Sequence, residues 1–222
     1  MREGDEPEPE LGWVSPEVRE EFPELRLLTA TVVTAAGPSS PEARQRLRLL
    51  SDRFTGARAV GMRREPIPSA YRIFYRHIGL DPDETRPPGE AAAVERLLRG
   101  GFRPSNRIDD ALLIALAETG VPLWALDADA LDGPLGIRTA ASGEQLERGP
   151  YARPLPAGQL VIADAAAPVA LLFGEVAPER MVQAHTARVS LYAVQVSGVP
   201  AIHVEEALWT CGSLLVQAQD GR

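Results

Sequence analysis

From Pro122 onward the chain is written in short apolar runs: PLWALD, LGIRTA, QLVIADA, PVALLF and ARVSLYAVQVSG. Gly, Pro and acidic residues separate them, and β-branched residues enrich them, which is the pattern of strands rather than helices. None approaches the ~18 apolar residues that a membrane-spanning helix needs. Sequence before Pro122 behaves differently. SSPEARQRLRLLSDRF offers Ser40 as a cap and Pro41 at the first helical position, with Ala43, Leu47, Leu50 and Phe54 on one face. A second helix is expected through Ala91, Val94, Leu97 and Leu98 to the Gly100-Gly101 stop, a third from about Asp109 to Glu118, and a last from about Val204 to Ala218. One earlier strand, TATVVTAAG, is expected over Thr29 to Gly37. Helices followed by strands imply an α+β fold, with helices packed on a largely antiparallel or mixed sheet system.

The first eleven residues carry five acids against Arg2 and almost nothing apolar, so residues 1–11 are expected to be a disordered acidic tail. Residues 12–222 are then a single domain. The tail holds about half of the net charge of -8, which leaves the folded body nearer neutral. An acidic start is the reverse of a secretory leader, so the expected location is cytoplasmic. All 23 basic residues are arginine, and Arg44, Arg46, Arg48, Arg53, Arg58, Arg63, Arg64, Arg72 and Arg76 face only Glu42, Asp52 and Glu65 in the same segment. Two readings stand for it: a solvated surface, or the electrostatic footprint of an anionic partner such as RNA.

Catalytic signatures are mostly missing. The sequence has no G-x-S-x-G, no G-x-x-x-x-G-K-[ST] and no G-x-G-x-x-G. His77, His185 and His203 are scattered and Cys211 is alone, so neither a metal site nor a disulfide is expected, and nothing calls for a cofactor. Cys211 reads as a small core residue on a helical face. Two polar knots stand out. Tyr71, Arg72, Tyr75 and Arg76 combine ring faces with guanidinium groups, which suits phosphates and unstacked bases, but also suits a sheet edge with arginines buried against Asp81 or Glu90. In NRIDD, one aspartate can cap the helix, leaving Arg107 and the other aspartate for an ion pair or a site.

The ordered series NRIDDALLIALAETGVPLWALDADALDGPLGIRTAASGEQL, LVIADAAAPVAL and HTARVSLY resembles the B3/B4 domain of the phenylalanyl-tRNA synthetase β subunit, which hydrolyses mischarged tRNA. YRIFYRHIGLDPDETRPPGEAAAVERLLRGG looks like the front half of free-standing proteins built from that domain, so the resemblance covers about residues 12 to 200. It implies a B3/B4-type fold with tRNA or aminoacyl-tRNA as partner. The family frame is kept at Asn106, Arg107, Asp110, Gly120, Pro122, Asp127, Arg138, Gly143, Glu144, Asp164 and Thr186. The pocket is not kept. The family's helix threonine falls on Leu112, its histidine on Trp124, and the glutamate that recognises the tyrosine hydroxyl falls near Tyr192; the loop after its A-L-A strand is shortened to LLFGEVAPER.

Loss of those polar partners implies a deacylase of non-tyrosine specificity, or a non-catalytic RNA- or small-ligand-binding module. On the enzyme reading the polar candidates are Arg107, Asp110, Glu175 and His185, with Arg107 orienting the terminal ribose or phosphate and Glu175 or His185 positioning water. Leu112, Trp124, Thr186 and Tyr192 are the expected substrate pocket. Arg72, Tyr75, Arg76 and Arg86 are the expected RNA contacts.

Overall fold

The computed structural model of the chain describes residues 8–146 and 154–217. In chain order the elements are β1 (Glu10–Leu11), β2 (Trp13–Val14), α1 (Pro16–Glu21), β3 (Arg26–Val33), α2 (Pro41–Arg53), α3 (Gly56–Gly61), α4 (Pro66–His77), α5 (Pro88–Arg99), α6 (Arg107–Thr119), β4 (Leu123–Asp127), β5 (Gly136–Thr139), β6 (Leu160–Ala163), β7 (Pro168–Leu171), β8 (Arg188–Gln195) and α7 (Ala201–Gln217). The fold is α+β, as expected.

Two four-stranded sheets organise it. One has the order β1-β3-β8-β4 and is antiparallel throughout; the other has the order β2-β5-β6-β7 and is antiparallel except for the parallel pair β2 with β5. The centre of the first sheet is the long β3–β8 ladder, paired from Arg26 with Gln195 to Val33 with Arg188. α7 lies on β3 and β8, α6 packs against α7 and β4, and α2 covers α6. Leu27, Ile114, Leu126, Leu191, Leu208 and Leu215 are wholly buried between these layers, and Cys211 is buried among them.

The β2–β5 pair depends on a glycine. An added Cβ at Gly136 would lie 2.0 Å from the indole of Trp13, so only glycine lets that ring lie across the parallel pair, where its Nε1 donates to Pro134 O at 3.0 Å.

Several expectations shift. The strand expected over 29–37 runs from Arg26 to Val33, because its partner β8 ends there; Thr34 makes the last backbone rung to Ala187 O at 3.0 Å and the chain then leaves the sheet. Residues 1–7 lie outside the described residues, but Glu10 and Leu11, the end of the expected tail, pair with Thr29 and Leu28. YRIFYR is not a sheet edge. It lies in α4, where Tyr71, Phe74 and Tyr75 at helical spacing are buried together. The face expected to bury α5 points outward: Val94, Leu97 and Leu98 are exposed while Ala93 and Glu90 are buried. Among the described residues no helix is long and apolar enough to cross a membrane.

Candidate functional site

The polar start of α6 is a latch. Asn106, rather than an aspartate, is the cap: its side-chain oxygen accepts from the N–H groups of Ile108 and Asp109 at 3.1 and 2.9 Å. Its amide donates to Asp109 at 2.6 Å. Asp110 is buried and accepts the Ser39 hydroxyl and the Ser105 N–H, so both of its oxygens tie the helix to flanking loops. Arg107 reaches across to Ala35 O at 2.8 Å, and its backbone N–H donates to Gly37 O at 2.9 Å. Its Nε is buried without a hydrogen-bond partner.

Other frame residues do comparable work. The buried Thr186 hydroxyl donates to Asp127 at 2.7 Å and accepts from Gln183 N, holding the entry to β8 against the end of β4. Arg138 and Glu144 form a two-pronged pair with both distances at 2.7 Å, which raises the guanidinium's affinity for its proton and lowers the carboxyl's. Asp164 is buried, and burial works to raise its pKa. The N–H groups of Asp132, Ala167 and Ala166, with Arg180 at 3.2 Å, outweigh that and hold it below the usual carboxylate range.

Of the four expected pocket residues, Trp124 and Tyr192 meet, and they form part of a cluster of rings. Trp124 and Tyr192 are cross-strand partners on β4 and β8, with ring centroids 5.4 Å apart and planes 10° from parallel. Phe173, which follows β7, packs on Trp124 at 5.9 Å and also on Tyr75, Tyr71 and Phe74. Burial pushes the Tyr71, Tyr75 and Tyr192 hydroxyls well above the usual phenol range. Tyr71 donates to Val194 O at 2.9 Å, whereas the Tyr192 hydroxyl is buried with no partner. Leu112 is partly buried against the core, and Thr186 belongs to the Asp127 contact described above. Sequence reasoning missed Phe173, although a Phe-Gly pair just past a strand in a shortened loop was the available signal.

Glu175 and His185 are both exposed in the connection between β7 and β8, and no hydrogen bond or ion pair among the described residues joins either to Arg107 or Asp110. The four polar candidates therefore do not form one hydrogen-bonded group.

Two expected RNA contacts change role. Arg72 is buried between Glu90 at 2.9 Å and Asp83 at 2.7 Å, and so is engaged in holding α4 to α5. Tyr75 is buried against Phe173, which removes its ring from any stacking surface. Arg76 and Arg86 are exposed and form no ion pair among the described residues; the same holds for Arg48, Arg53 and Arg64. By contrast Arg46 pairs with Glu118, Arg44 donates to Ser39 O, and Arg58 lies 4.6 Å over the Phe54 ring.

The family model described as the B3/4 domain matches residues 70–200, more than half of the chain. Curated relatives include phenylalanine-tRNA ligase beta subunits. One from Xanthomonas oryzae pv. oryzae is 40% identical over 94 residues, covering 42% of this chain and 12% of the relative. One from Gloeobacter violaceus is 46% identical over 79 residues, covering 35% and 10%. One from Xanthomonas campestris pv. campestris is 43% identical over 68 residues, covering 31% and 8%. The chain thus matches about a tenth of the length of these relatives.

Proposed function

Since this chain belongs to the B3/4 domain family, we propose that it acts on tRNA, as a trans-acting deacylase that hydrolyses mischarged tRNA whose amino acid is not tyrosine. The observation that carries this reading is the match to tRNA ligase subunits, together with Trp124 and Tyr192 side by side where the resemblance expects polar groups. A tyrosine hydroxyl in that apolar setting would lose its hydrogen bonds to water at a cost of roughly 1 to 3 kcal/mol.

Hydrolysis of an aminoacyl ester needs a placed water and donors for the oxygen that becomes negative. Water attacks the carbonyl carbon, the ester C–O bond breaks, the ribose oxygen takes a proton and the amino acid leaves as a carboxylate. Arg107 is the candidate to orient the terminal ribose or phosphate, from its seat at the start of α6. Glu175 and His185 are candidates to place the water. Asp110, with both oxygens engaged, supports Arg107 by fixing that helix start.

The test is a panel of mischarged tRNAs incubated with the purified protein. Accelerated release of at least one amino acid other than tyrosine is expected, with Arg107→Ala slowing it about tenfold or more while the fold persists. No acceleration with any pair sinks the enzyme reading.

A second reading, a non-catalytic RNA-binding module, is favoured by the lack of any hydrogen bond joining Glu175 or His185 to Arg107 and by the exposed arginines Arg48, Arg53, Arg64, Arg76 and Arg86, which form no ion pair among the described residues. It predicts tRNA affinity that falls steeply with salt, and a shallower salt dependence when Arg48, Arg53 and Arg64 are replaced together by alanine. Affinity indifferent to both would leave these arginines as surface only.

A further inference from the structure

A cavity of about 270 Å³ opens where several elements end. Glu21 ends α1 and Phe22 follows it, His77 ends α4 and Ile78 follows it, Thr139 ends β5, and Gln159 leads into β6. All six line the space. Arg107, Trp124, Phe173 and Tyr192 are not among its described lining residues, so it is separate from the site above.

Its frame is fixed by backbone bonds. The Leu80 N–H donates to Tyr75 O at 2.8 Å, which turns the chain off α4 through Gly79 at a φ of 78°. On the facing side Ala140 N–H donates to Gln159 O at 2.7 Å and Gly158 N–H to Ala140 O at 3.0 Å, while Leu172 N–H reaches Leu160 O at 3.1 Å. Phe22 is held edge-on to Phe74, with ring centroids 5.2 Å apart. The cavity is thus preformed, as small-molecule sites usually are. Within this satisfied frame the side chains of Glu21, His77, Thr139 and Gln159 make no hydrogen bond or ion pair with any described residue. The rest of the wall is aliphatic, from Ile78, Leu80, Leu160 and Leu172.

We propose that this cavity binds a small aliphatic primary amine as its ammonium ion. Glu21 is the one formally charged side chain among the described lining residues, with histidine counted as neutral, so the complementary ligand carries a single positive charge. An ammonium group has three N–H donors and no acceptor, and the Glu21 carboxylate, the Thr139 hydroxyl and the Gln159 amide oxygen supply acceptors to match. A quaternary ammonium has no N–H to give them. The volume falls just short of the ~300 Å³ at which drug-sized sites begin, which suits a chain of a few carbons lying on the aliphatic wall. Amine binding does not rest on the deacylase reading and is measured without tRNA, so either can fail alone.

The test titrates the intact, nitrogen-labelled chain with pentylamine, pentanol and pentanoate at neutral pH and constant ionic strength, followed by NMR. Pentylamine is expected to shift the amide signals of Leu80, Gly158 and Gln159 and to bind at least about tenfold tighter than pentanol, with pentanoate weaker still. Shortening the chain by one methylene is expected to weaken the amine roughly fourfold. Glu21 is exposed, so Glu21→Gln is expected to fold; it should bring pentylamine down to the affinity of pentanol and leave pentanol unchanged. Equal affinity for the three probes overturns the proposal, as do shifts that spare Leu80, Gly158 and Gln159, or a folded Glu21→Gln that binds pentylamine as the parent does. If Glu21→Gln does not fold, the comparison of probes on the unsubstituted protein decides.

Discussion

Tyr192 and Asp110 are both buried polar residues, yet their substitution should have opposite effects. The Tyr192 hydroxyl has no partner, so Tyr192→Phe removes a desolvation cost without removing a bond; stability is expected to stay level or rise by about 1 kcal/mol in urea denaturation. A clear loss would mean that the hydroxyl is satisfied. Asp110 accepts from Ser39 and from Ser105 N, so Asp110→Ala leaves two donors unanswered and is expected to cost about 3 kcal/mol in the same measurement. The sequence made Asp110 conspicuous as part of the polar knot NRIDD and of the frame that the resemblance keeps. Its use was hidden, since Ser39 and Ser105 approach it only through the fold. Phe173 was hidden for a related reason: the Phe-Gly pair in LLFGEVAPER marks a turn, but the four rings that converge on Phe173 reach it only through the fold.

At the scale of elements, hydrophobic periodicity located α2, α5, α6, α7 and all five late strands, but it missed α4, whose YRIFYR stretch also suits a sheet edge, and it misjudged which way α5 faces. Ala91, Val94, Leu97 and Leu98 make the apolar stripe in sequence, yet Glu90 is the residue taken inside, because Arg72 of α4 lies there to receive it. A buried ion pair fixes rotation by geometry, and a hydrophobic pattern has no means of encoding that. Removing one partner strands the other, so Arg72→Met should destabilise the protein by roughly 3 to 5 kcal/mol in urea denaturation. The double substitution Arg72→Met with Glu90→Leu should recover most of the loss. Recovery would identify the pair as a device that orients α5; a double variant as unstable as the single one would point instead to Asp83, Pro82 and the local turn.

The whole molecule responds to acid through carboxyls that the fold holds in their charged form. Asp164 and Glu144 both have pKa values below their ordinary ones, so each contributes stability that is fully present above the ordinary carboxylate value of about 4 and is lost as pH falls through the lowered value. Urea midpoints are expected to hold level from pH 7 toward 5 and to drop below about 4. Asp164→Asn should lower the midpoint at pH 7 and flatten that drop; a variant with the same acid limb as the parent would remove Asp164 from the account. The central ladder sets a different, temporal condition. β3 leaves the ribosome well before β8, and Val33 must wait for Arg188 and Leu123 for Ala193, so the first sheet has no middle until β8 is made. At ordinary rates of translation the wait lasts on the order of ten seconds, during which β3 and β4 present unpaired edges to anything that offers a strand. A nascent chain stalled before β8 is therefore the form of this protein most in need of a chaperone.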